Sequence, residues 1–72
     1  MQLTPVLKWN NCGGENCPAV YDTETGDLVI QGWNLAADES EQLRNRGDDE
    51  SGVRIPYGLA EQIADMVNAR RS

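Results

Sequence analysis

The sequence predicts an α+β domain: a small antiparallel β-sheet, made of the hairpin 19–35 plus a strand near 52–55, packed by a C-terminal helix. Three observations predict it. Two β-prone runs, 19–22 and 28–35, flank the turn segment Thr23-Glu24-Thr25-Gly26-Asp27, where Gly26 is free to take the left-handed conformation that closes a short hairpin loop with a bulge. Val53 and Ile55 alternate around Arg54 until Pro56, which stops a ladder because it has no N–H and whose fixed φ suits the first turn of a helix. Leu59, Ile63, Met66 and Val67 then recur at i, i+4, i+7 and i+8. That apolar stripe, with Glu61, Asp65 and Asn68 outside it, defines a helix over 57–69 that must lie across the sheet.

The remaining segments follow in order. Leu3, Val6, Leu7 and Trp9 surround Pro5 and read as an extended edge segment lying against the core. Residues 10–18 are turn formers throughout, with adjacent Gly13 and Gly14 and with Pro18 closing the loop before a strand. In the second hairpin strand Leu28 and Ile30 share one face while Val29, Trp33 and Leu35 point to the other, so both faces need cover. Residues 36–51 are acidic, with Leu43 as their apolar anchor. They read either as an acidic loop or as a short helix capped by Asp38, with Glu41 three positions on and Gly47 as its stop. Arg70 and Arg71 fall at the carboxyl end of the last helix, where the helix dipole favours positive charge.

Seventy-two residues make one small domain, 1–72. Leu, Ile and Val number fourteen and Phe is absent, so the core is marginal. Two Trp and two Tyr support it, since each large aromatic buries on the order of 150–250 Å². Twelve acidic side chains face six basic ones, which removes the long-range attraction to phosphate and excludes direct nucleic-acid binding. The acid is uneven: residues 1–50 hold ten carboxylates against Lys8, Arg44 and Arg46, whereas 51–72 hold Glu61 and Asp65 against Arg54, Arg70 and Arg71. The acidic surface is either a solubilising face or one that meets a basic partner. With no apolar run suited to a signal peptide or a membrane span, a soluble cytoplasmic protein is expected.

No enzyme signature emerges. His is absent, and with it the usual general acid or base near neutral pH and the commonest metal ligand. Cys12 and Cys17 are four residues apart and admit three readings: reduced structural thiols, a disulfide contributing about 2 kcal/mol through loop entropy, or half of a zinc site. The zinc site would need Glu15, Asp22 or the same pair of a second subunit to complete it. A catalytic thiolate has no base to generate it. Asp48 and Asp49 read as a solvated loop, and Gly13-Gly14 lacks the spacing of a phosphate loop. No cofactor is implied. Trp9, Trp33 and Tyr57 are expected in the core or as half-buried cover, with an exposed partner-binding patch as the functional rival.

Trp9, Gly13-Gly14, Asn16-Cys17, Val20, the strand through Val29, and Pro56 followed by a helix ending near Val67 together form a pattern. It resembles small actinobacterial proteins encoded in many copies beside helix-turn-helix regulators. Cys17-Pro18-Ala19-Val20-Tyr21, Gln31-Gly32 and Ile55-Pro56 are similar to a related group from the same genomic settings. Cys12, the lack of Phe and the acidic insertion 36–51 depart from the first group. The resemblance carries no catalytic residues to this chain. It implies a regulatory accessory protein that binds a helix-turn-helix regulator. Independently, with no His, no phosphate loop, too few metal ligands and a charge repulsive toward DNA, protein association is what remains open to a non-enzymatic chain, with Trp33 and the acidic side chains Asp48, Asp49 and Glu50 as the expected contact residues and a homodimer left open. The rival class is a small zinc-binding or redox module centred on Cys12 and Cys17.

Overall fold

The computed structural model describes residues 1–10 and 17–71. Strands β1 (Leu3–Lys8), β2 (Ala19–Thr23) and β3 (Leu28–Gln31) form an antiparallel sheet in the order β1-β2-β3. Strands β4 (Trp33–Asn34) and β5 (Val53–Arg54) form a separate antiparallel pair. A single-turn helix α1 (Ala37–Ser40) lies between them in sequence, and helix α2 (Tyr57–Arg71) ends the described chain. The architecture is the α+β arrangement that the alternation and helical spacing predict.

The hairpin closes as its turn chemistry requires. Gly26 sits at φ 91°, a left-handed value that glycine adopts without a Cβ penalty. Thr23 N–H donates to the Asp27 carbonyl at 3.2 Å and Asp27 N–H donates to Thr23 Oγ1 at 3.0 Å, which fixes the register of β2 on β3. The second hairpin strand does not run straight to Leu35. It divides at Gly32, where a Cβ would stand 2.6 Å from the Arg54 carbonyl oxygen and 2.9 Å from Ile55 Cγ2. Only glycine allows this approach, and it lets the chain leave the first sheet and pair with β5.

The N-terminal segment is a paired edge strand. Pro5 stands opposite Tyr21, and the register slips between Pro5 and Leu7, as an edge proline without an N–H permits. Residues 36–51 hold only the one turn of α1. The cap is not Asp38: the chain enters the helix at Ala36, whose N–H donates to Glu39 Oε1 at 2.9 Å. Gly47 does not end the helix, which stops at Ser40 because no residue of α1 is buried to hold a longer one. Asn45, at φ 55°, and a turn closed by Glu50 N–H to the Gly47 carbonyl at 3.1 Å carry the chain on to β5.

Helix α2 is held at both ends. At its start, a Cβ on Gly58 would come within 2.5 Å of Trp9 Cη2, so the indole lies directly against the helix backbone. At its end, Arg70 Nη1 and Nη2 donate to Asp22 Oδ1 and Oδ2 at 3.0 and 3.1 Å. Residues 58 and 70 are about 18 Å apart along a helix axis, so α2 crosses the sheet from the end of β1 to the end of β2. Val20 shares the face of Asp22, two residues away on β2, and so lies under the helix. Val20 and Leu59 are both 0% exposed, while Ile63, Met66 and Val67 are half-buried. The apolar stripe faces inward, but its weight rests on Leu59.

Leu59→Ala is therefore expected to cost about 2–5 kcal/mol, and Ile63→Ala about 1–2 kcal/mol because its site is already partly open. Both are measurable by urea unfolding. Gly58→Ala is expected to destabilise by about 1–3 kcal/mol through overpacking against Trp9, although alanine in a helix normally gains about 1 kcal/mol over glycine. A stabilised Gly58→Ala variant would show that the indole does not lie on the helix.

Candidate functional site

The β4–β5 pair places Trp33 opposite Arg54 and Asn34 opposite Val53. Directly opposed residues project to the same face, and the Arg54 guanidinium accordingly lies over the Trp33 ring, 5.9 Å from its centroid. This is cation–π geometry. Trp33 stays 37% exposed and forms one wall of a depression of about 350 Å³ whose other walls include Cys17, Pro18, Gly32 and Asn34. Pro18 and Cys17 are buried. The Cys17 sulfur is disulfide-bonded and does not titrate.

Tyr57, three residues beyond Arg54, is 88% exposed and is neither core nor half-buried cover. Positions 57 and 59 differ by about 200° of rotation on a helix, so turning Leu59 into the core turns Tyr57 out to solvent. Trp9, in contrast, is half-buried against Gly58, as an aromatic of the core should be. Arg54 and Tyr57 were not legible as site residues from composition. The helical offset of Tyr57 from Leu59 was the available signal for one of them, whereas the placement of Arg54 depends on the β4–β5 pairing.

Asp48, Asp49 and Glu50 lie together in the exposed segment that follows Gly47. Glu50 Oε1 accepts from Gly47 N–H at 2.8 Å and the Glu50 carbonyl accepts from Arg46 Nη1 at 2.9 Å, so this residue organises its own turn. Asp49 and Glu50 border a second depression, beside Leu28 and Val29 of β3. Trp33 on the one hand and Asp49 and Glu50 on the other thus line different depressions, and one small interface would have to span both.

Of the cysteine site, Cys12 and Glu15 lie outside the described residues. Asp22, the other carboxylate considered for a metal, has both oxygens bound by Arg70. That hydrogen bond and the Asp22 charge raise the Arg70 guanidinium above its ordinary value. Among the described residues no group of three or more His, Cys, Asp and Glu side chains is placed to hold a metal ion. None of their helices is long and apolar enough to cross a membrane. The chain matches no family model, no curated protein and no solved structure.

Arg54→Ala is expected to leave the fold intact, costing about 0.5–1 kcal/mol as exposed cation–π pairs do, while shifting the Trp33 indole resonances and leaving those of Trp9 in place. A two-dimensional NMR spectrum distinguishes the two indoles.

Proposed function

We propose that this chain is a non-enzymatic regulatory accessory protein of the cytoplasm that works by binding another protein, with Trp33 as its anchor. The observation that carries the reading is the exposure of large aromatic side chains on a chain whose own core is small: Trp33 with the Arg54 guanidinium over its ring, and Tyr57 turned out to solvent. Trp, Tyr and Arg are the residue types that dominate binding energy at protein interfaces. The depression that buried Pro18 and Cys17 line beside Trp33 offers a partner side chain a recess, and a recess already formed lowers the ordering cost of association.

The net charge of −6 selects the partner's chemistry. Asp48 and Asp49 make no hydrogen bond or ion pair among the described residues, so their field is available to a basic surface. A helix-turn-helix regulator, which the sequence resemblance implies, presents such a surface because it must bind DNA phosphates. Charge of this kind raises the rate of encounter, while buried aromatic anchors set the lifetime of the complex.

The test is affinity capture from the native cell followed by surface-based kinetics on the partner found. Asp48→Asn, Asp49→Asn and Glu50→Gln combined should slow association several-fold at low salt and hardly change dissociation. The glutamine retains an oxygen to accept from Gly47 N–H. Trp33→Ala should raise the dissociation rate about 30-fold or more, the scale of a central aromatic anchor. Wild-type rates in both variants, each confirmed as folded by circular dichroism, would contradict the reading.

A further inference from the structure

We infer that the outer edge of β3 takes one extended segment of a partner protein as an added β-strand, apolar on alternate residues and flanked by basic ones. The inference is independent of the Trp33 surface. In the antiparallel register of β2 on β3, Thr23 N–H donates to the Asp27 carbonyl at the hairpin end, and Tyr21 stands opposite Val29 and Ala19 opposite Gln31. Hydrogen-bonded pairs alternate along such a ladder, so Val29 and Gln31 spend their backbone groups on β2. Leu28 and Ile30 aim theirs outward, where no strand pairs with them among the described residues.

The two edges of the sheet differ in kind. The outer edge of β1 carries Pro5 and a register slip, both of which discourage further pairing. Strand β3 reads Leu-Val-Ile-Gln, with no proline, charge or bulge. Its Leu28 and Ile30 side chains are 37% and 39% exposed, and both point to the same face. A pairing strand would cover the side chains and satisfy the backbone groups of the same two residues.

There is room beside this edge for a further strand. A depression of about 820 Å³ is lined by both Leu28 and Val29 on one side and by Leu43, Arg44, Asp49 and Gly52 on the other. Adjacent strand residues face opposite sides of a sheet, so a depression bordered by both lies at the strand's edge. The depression is open to solvent, so an extended segment has room to lie along the strand edge. A second copy of this chain is disfavoured, because two chains of net charge −6 repel each other.

Charge defines the segment further. Arg44 and Arg46 are balanced in the groove by Asp49 and Glu50, so residues within it gain nothing by carrying net charge. Outside it the chain is at −6, which favours basic flanks. Backbone pairing supplies affinity in strand addition, and alternate side chains supply selectivity.

The test uses the full chain, isotopically labelled, and a synthetic probe, the peptide Lys-Lys-Thr-Val-Thr-Val-Thr-Lys-Lys. Saturating probe is expected to slow amide hydrogen exchange of Leu28 and Ile30 by about tenfold or more, with Val29 and Gln31 unchanged because they are already paired. Ile30→Pro removes an outward N–H without touching the β2 ladder and should abolish the effect at Leu28. Should that variant not fold, Ile30→Lys places a charge on the edge and is expected to do the same. Three results would overturn the inference: no slowing at Leu28 and Ile30, equal slowing by the scrambled peptide Lys-Thr-Lys-Val-Val-Lys-Thr-Thr-Lys, or protection that appears without probe and grows with protein concentration, which would assign the edge to a second copy.

Discussion

The fold depends on the way α2 is fastened across the sheet. Trp9 lies on Gly58 at one end and Arg70 grips Asp22 at the other, and between these points Val20 and Leu59 are sealed from water. Those two side chains, with Pro18, are the largest that are fully buried among the described residues, so little apolar burial offsets the conformational entropy of the chain. The exposed ion pair adds little by itself. Its value is positional, since it fixes where the last turn of the helix sits over β2.

A core this small leaves large side chains outside it, and their distribution is ordered. Trp33 is steadied by Arg54, Tyr57 is turned outward by the same helical phase that buries Leu59, and Leu28 and Ile30 line an open strand edge. Gly32 links these features, because its lack of a side chain lets β5 approach and bring Arg54 over the indole. Constraints that complete the fold thereby also shape the surface that the proposed function uses. The acidic segment contributes differently: it has one helical turn, no buried residue in that turn, and carboxylates free to act at a distance.

Features written in local chemistry were legible in the sequence. The turn at Gly26, the stop at Pro56 and the spacing of Leu59, Ile63, Met66 and Val67 depend on residues within a few positions of one another. Features that depend on distant partners were not. The division of the hairpin strand at Gly32 is imposed by the Arg54 carbonyl, 22 positions away in sequence. Pairing of β1 with β2 was hidden by Pro5 and by a strand exposed over half its length. Asp38 looked like a cap because of its residue type, yet Glu39 reaches back to the Ala36 N–H instead, a choice that turns on one residue of helical phase. The cysteine pair was the most visible chemical feature of the sequence, but of the two only Cys17, whose sulfur is disulfide-bonded, falls within the described residues.

The seat of α2 on Trp9 is the claim on which the rest stands, and the nuclear Overhauser effect between the six-membered ring protons of Trp9 and the α-protons of Gly58 measures it most directly. The contact between indole and helix backbone predicts strong cross-peaks and ring-current-shifted Gly58 α-protons. Absence of those cross-peaks, with Gly58 at the shifts of an ordinary solvent-exposed helical glycine, would contradict the account.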